Sequence, residues 1–90
     1  MNVIQTPTFK KLVKKLHKNQ KCDLDKNIKV VIEDPYIGEM KKGDLAGVRV
    51  YKFKMIKQLT LLAYKFDEGE IILILLTFGS HENFYRNLKK

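Results

Sequence analysis

A histidine, an acid and a tyrosine fall within five residues near the C-terminal end, in Gly79-Ser80-His81-Glu82-Asn83-Phe84-Tyr85-Arg86. They follow an unbroken apolar run, Ile71 to Leu76, whose composition calls for burial. A buried strand that breaks at Gly-Ser and then presents these groups has the pattern of an active-site rim. His81 could shuttle a proton near neutral pH, and Tyr85 could stack on a base or donate a proton. Lysines and an arginine brought alongside would hold a phosphate and stabilise negative charge developing on it. RNA carries its own nucleophile, the 2′-hydroxyl, so its cleavage needs only a base, an acid and cations. The structural alternative is a hydrogen-bonded histidine capping a strand end, with Tyr85 in the core and Glu82 supporting a helix start.

The elements that must position these groups follow from periodicity. Asn2 to Gln5 can form a short strand, and Thr6-Pro7 reads as a helix cap followed by proline in the first turn. Phe9, Leu12, Val13 and Leu16 recur at helical spacing, with lysines on the opposite face. A second helix is expected to begin between Asn19 and Asp23, to bury Leu24, Ile28, Val31 and Ile32, and to end before Pro35. Tyr36 to Leu45 reads as a loop carrying the basic pair Lys41-Lys42. Three strand-like runs follow, Val48–Lys54, Leu59–Phe66 and Ile71–Phe78, joined by short turns that require an antiparallel meander. Phe84, Tyr85 and Leu88 fit a short terminal helix. The expected fold class is α+β in the order β-α-α-β-β-β-α, an antiparallel sheet with a helical hairpin on one face.

Alternation within Val48–Lys54 sets Arg49, Tyr51 and Phe53 on one face and Val50, Lys52 and Lys54 on the other. If the aromatic residues pack on the helices, Lys52 and Lys54 project from the open face. In a meander the first and third strands end at the same edge, which brings Lys54 towards His81. Lys41, Lys42 and Arg86 could approach that hollow, and Arg49 is the further cation counted with the phosphate-binding set.

Composition supports one basic domain spanning residues 1–90, with net charge +8 and a pI near 9.7. Such charge favours nucleic acid, an acidic protein or an anionic surface as partner. Cys22 is the single cysteine, so an intrachain disulfide is excluded, which suits a reducing cytoplasm. His17 and His81 are far apart and no ligand spacing accompanies them, so neither a metal nor another cofactor is expected. The apolar run is too short to span a bilayer.

Taken in order, the Phe9-Lys10-Lys11 start of the hairpin, Leu45-Ala46-Gly47, Tyr51-Lys52-Phe53-Lys54, Leu61-Leu62-Ala63-Tyr64, and Gly79-Ser80-His81 with Tyr85 resemble the RelE/ParE superfamily of type II toxin–antitoxin toxins. The resemblance covers the whole chain and implies one of two activities. RelE-like members are ribosome-dependent endoribonucleases (mRNA interferases) that block translation; ParE-like members inhibit DNA gyrase without cutting RNA. By resemblance His81 matches the histidine after the last strand of the nucleases and Tyr85 their terminal aromatic, while Lys52 and Lys54 fall near the basic residues holding the scissile phosphate. Leu61 stands where many of these nucleases carry arginine, a departure from the pattern. Either branch implies an acidic antitoxin partner that covers the basic hollow or displaces the terminal helix, with operator binding left to the antitoxin. A basic binding protein without toxicity is the third reading.

Overall fold

The structure, a computed structural model, describes residues 1–88, with the side chains of Glu82 and of residues 86–88 outside the description. β1 (Asn2–Gln5) leads into a helical hairpin, α1 (Pro7–Lys14) and α2 (Lys18–Glu33). A two-residue strand β2 (Glu39–Met40) and a single 3₁₀ turn at Gly43–Leu45 precede β3 (Arg49–Met55), β4 (Gln58–Asp67) and β5 (Ile72–Gly79). The helix α3 (His81–Leu88) closes the described chain. The five strands form one sheet in the order β1-β5-β4-β3-β2. The expected meander is present, and β1 adds in parallel to β5, so the sheet is mixed.

Local chemistry fixes the hairpin. The Thr6 hydroxyl accepts from the Phe9 backbone N–H at 3.1 Å and donates to the Leu76 carbonyl at 2.7 Å. One side chain therefore caps α1 and ties it to the sheet. α2 begins at Lys18, slightly ahead of the expected start, where Gln20 reaches back to accept from the His17 N–H at 2.8 Å. It stops at Glu33, before Pro35. Phe9, Leu24 and Val31 bury their side chains against Phe53, Leu62, Leu73, Leu75 and their neighbours on the sheet. Phe9 meets Phe78 edge to face at 5.1 Å.

Two departures from the sequence expectation have physical causes. The segment read as one loop contains β2 because Glu39 and Met40 pair with Val50 and Arg49, a two-residue match too short to leave a period in sequence. The β3–β4 connection is a two-residue turn, Ile56-Lys57, with φ values of +47° and +68°. Such a turn matches the twist of its strands but favours Asn-Gly; a β-branched residue at positive φ is strained. The carboxylate of Asp23 on α2 accepts from the Ile56 N–H at 2.9 Å and helps hold the turn.

Tyr64 shows how the loop after α2 is secured. Its hydroxyl donates to the Pro35 carbonyl at 2.8 Å and accepts from the Gly38 N–H at 2.8 Å. Burial raises the pKa of this phenol, keeping it a donor at every pH the protein meets. A Cβ at residue 38 would lie 2.6 Å from the Tyr64 hydroxyl oxygen, so only glycine fits. Tyr64→Phe leaves the Gly38 N–H and the Pro35 carbonyl without this partner and should cost about 1–3 kcal/mol. Denaturant unfolding monitored by circular dichroism checks this; an unchanged midpoint would remove the hydroxyl from the stability account.

Candidate functional site

The face of the sheet away from the hairpin carries a second, smaller core. Val48, Val50 of β3, and Leu61 and Ala63 of β4 are buried there with Phe84 of α3, whose side chain is fully enclosed. Tyr85 and Leu76 pack at its margin. A bulge in the β4–β5 pairing opposite Ala63 and Tyr64 changes the phase of β5. Leu73 and Leu75 pack on the hairpin side before it, as Phe78 does beyond it, which leaves Gly79 on the open side. After Gly79, α3 turns over that face, with the Phe84 N–H donating to the Ser80 carbonyl at 2.8 Å.

Register brings the chemical groups to one end of this face. Lys52 pairs with Leu61, which pairs with Gly79; Lys54 pairs with Leu59. His81 opens α3 two residues beyond Gly79, so it follows β5 at the end of the sheet where β3 carries Lys54. Both lysines are exposed and share the face of buried Val50, while Tyr51 and Phe53 turn to the hairpin. His81 is exposed and meets the half-buried Tyr85 ring edge-on at 5.2 Å, one helical turn away. The open face thus carries two exposed ammonium groups towards the end where an imidazole and a phenol sit. It can grip an anion and offers two proton-transfer groups at that end.

Other expected members lie elsewhere. Arg49 is on the hairpin side, donating to the Gly38 carbonyl at 2.8 Å and the Tyr36 carbonyl at 3.2 Å, with its guanidinium 5.2 Å from the Tyr36 ring. These contacts occupy it in fastening the loop after α2. Lys41 and Lys42 follow β2 at the beginning of β3, where the Lys41 N–H donates to the Val48 carbonyl. Six residues of strand separate Val48 from Lys54, about 20 Å. The Lys41 ammonium pairs with Glu39 at 3.6 Å. The side chains of Arg86 and Glu82 lie outside the described residues. Sequence reasoning passed over Lys57, exposed in the turn three residues after Lys54; Ile-Lys carries none of the usual hairpin-turn signal. Among the described residues no cluster of three or more His, Cys, Asp or Glu side chains forms, and no helix is long and apolar enough to cross a membrane.

The molecule is a basic α+β domain with a helical hairpin on one sheet face and a terminal helix across the other. The chain belongs to the family of ParE-like toxins of type II bacterial toxin–antitoxin systems, whose model matches residues 3–89. It is a toxin of the RelE/ParE superfamily. Solved structures share the fold. The Mycobacterium tuberculosis RelBE2 toxin–antitoxin complex matches with a TM-score of 0.76 at 17% identity, over 89% of this chain and 96% of that one. The intact Escherichia coli RelBE complex gives 0.70 at 20% identity, over 88% and 94%. A YoeB/ParE toxin from Agrobacterium tumefaciens gives 0.71 at 16% identity, over 90% and 99%. No curated protein matches the chain significantly.

Proposed function

We propose that this toxin is a metal-free, ribosome-dependent endoribonuclease that cuts messenger RNA and blocks translation in the cytoplasm. The observation that carries this reading is the convergence of Lys52 and Lys54 with His81 and Tyr85 at one end of the open face. An RNA strand laid there presents its phosphate to the two ammonium groups. Neutral His81 accepts the proton of the 2′-hydroxyl as that oxygen attacks phosphorus. The bond from phosphorus to the 5′-oxygen breaks, and the Tyr85 phenol supplies a proton to the departing oxygen. A 2′,3′-cyclic phosphate and a 5′-hydroxyl result, and solvent returns the proton from imidazolium to phenolate. The lysines act by holding the phosphate and stabilising the charge that builds on its oxygens. The partner in the resting cell is an acidic antitoxin, for which the +8 net charge is complementary.

Inhibition of DNA gyrase is the second reading. It is favoured by the ParE-like family model and by Leu61, which is fully buried and occupies the place of an arginine found in many related nucleases. Induction in growing bacteria separates the two. The nuclease reading predicts that amino-acid incorporation stops within minutes while plasmid DNA stays supercoiled, and that antitoxin co-expression restores growth. Relaxed plasmid and a DNA-damage response with translation intact would establish the gyrase reading instead.

A further inference from the structure

The cationic surface of the open face does not end at Lys54. Beyond it the sheet turns through Ile56-Lys57, and on the hairpin side of that turn a cleft of about 550 Å³ opens between the turn and the start of α2. Lys18, Asn19, Cys22, Asp23, Lys26 and Ile56 line it. Lys18, Lys26, Lys57 and Ile56 are all exposed, as is Leu59 on the next strand. The one acid in the cleft, Asp23, is engaged by the Ile56 N–H.

Charge is distributed unevenly over the molecule. Residues 1–22 hold six lysines and no acidic residue. The loop at 33–44 and the β4–β5 turn at 67–70, both at the other end of the sheet, carry seven of the ten acidic residues. Most acidic residues thus gather at the end of the sheet opposite His81, while exposed lysines among the described residues run from the open face, over the turn, to α2.

The turn itself is costly where it need not be. Asn-Gly at positions 56 and 57 would adopt these φ values without strain, yet the chain presents a bulky apolar residue and a lysine there. Strain retained at an exposed tip indicates that the two side chains are used.

We infer that the β3–β4 turn and the first turns of α2 continue the RNA-binding surface, taking the single strand that flanks the phosphate held at Lys52 and Lys54. Lys57, Lys18 and Lys26 contact successive phosphates, and Ile56 offers an apolar contact to a base. Such pairing of a cationic track with apolar platforms suits single strands of varied sequence. The inference rests on the proposed nuclease function for the identity of the polymer.

The test is binding of a fluorescent 12-nucleotide RNA and a trinucleotide to the purified toxin by anisotropy across a salt series. A His81→Ala parent keeps the RNA intact. Replacing Lys18, Lys26 and Lys57 together with alanine should weaken the 12-mer about tenfold or more and lower the slope of log K against log salt by about 2, at roughly 0.7 for each phosphate no longer neutralised. The trinucleotide should change far less. The variant I56N/K57G, built with the preferred turn residues, should melt at a higher temperature than its parent and still bind the 12-mer more weakly, so lost folding cannot explain the weaker binding. An unchanged slope and affinity for the 12-mer would overturn the inference. So would a triple variant that keeps its RNA affinity but fails to bind the acidic antitoxin, which would make the track a protein-docking surface. A wild-type toxin that binds RNA through these lysines but cuts none on the ribosome would instead overturn the proposed function and leave the track standing.

Discussion

Replacing His81 with alanine is expected to slow ribosome-dependent mRNA cutting by about 10²- to 10⁴-fold, the usual worth of a positioned general acid or base. The protein should remain folded. The imidazole is exposed and meets the Tyr85 ring edge-on at 5.2 Å. Tyr85→Phe keeps the ring that packs beside Phe84 and removes only the hydroxyl, so its defect should appear in the chemical step rather than in stability. Single-turnover cutting on programmed ribosomes, read beside melting curves and antitoxin binding, separates chemistry from folding. A His81→Ala protein that cuts at the wild-type rate would reduce the residue to a helix-start position.

The second large effect is expected at Phe84, which touches no substrate in this account. Its ring is fully buried and joins α3 to Val48, Val50, Leu61 and Ala63. Truncating a buried phenylalanine to alanine costs about 3–5 kcal/mol. Here the loss should fall first on α3, because among the described residues the hairpin-side core contains none from α3. Phe84→Ala should therefore leave the sheet and hairpin folded, allow the α3 amides to exchange rapidly, and abolish cutting by moving His81 and Tyr85 away from Lys52 and Lys54. Hydrogen exchange followed by residue, together with far-ultraviolet circular dichroism, checks both halves. Protected α3 amides in the variant would show that Phe84 is not the anchor.

These two positions illustrate what the sequence could reveal. Helical spacing in Phe9–Leu16 and Leu24–Ile32, and three apolar runs with short turns, carry enough periodic signal to define the hairpin and the meander. Alternation in β3 then places Lys52 and Lys54 opposite the aromatic residues, and meander topology places them at the His81 end. The same alternation sets Arg49 with Tyr51 and Phe53, on the side where it now binds the carbonyls of Tyr36 and Gly38. Counting Arg49 among the phosphate ligands followed its charge rather than its face. Lys41 and Lys42 lie in a segment with no period, so nothing in sequence indicated which end of β3 they would join. The turn at Ile56-Lys57 was equally hidden, because its left-handed backbone is imposed by pairing of the flanking strands and not by turn-forming residues. The bulge falls in the β4–β5 pair, leaving the alternation of β3 intact.

The most direct measurement is primer extension on a defined mRNA in a purified translation system, with the toxin added in the presence and absence of ribosomes. The account predicts new 5′ ends within the translated region that require ribosomes, persist when divalent ions beyond those needed for translation are withheld, and disappear with His81→Ala. Intact mRNA with translation continuing, under conditions where the same toxin arrests growth, would contradict it.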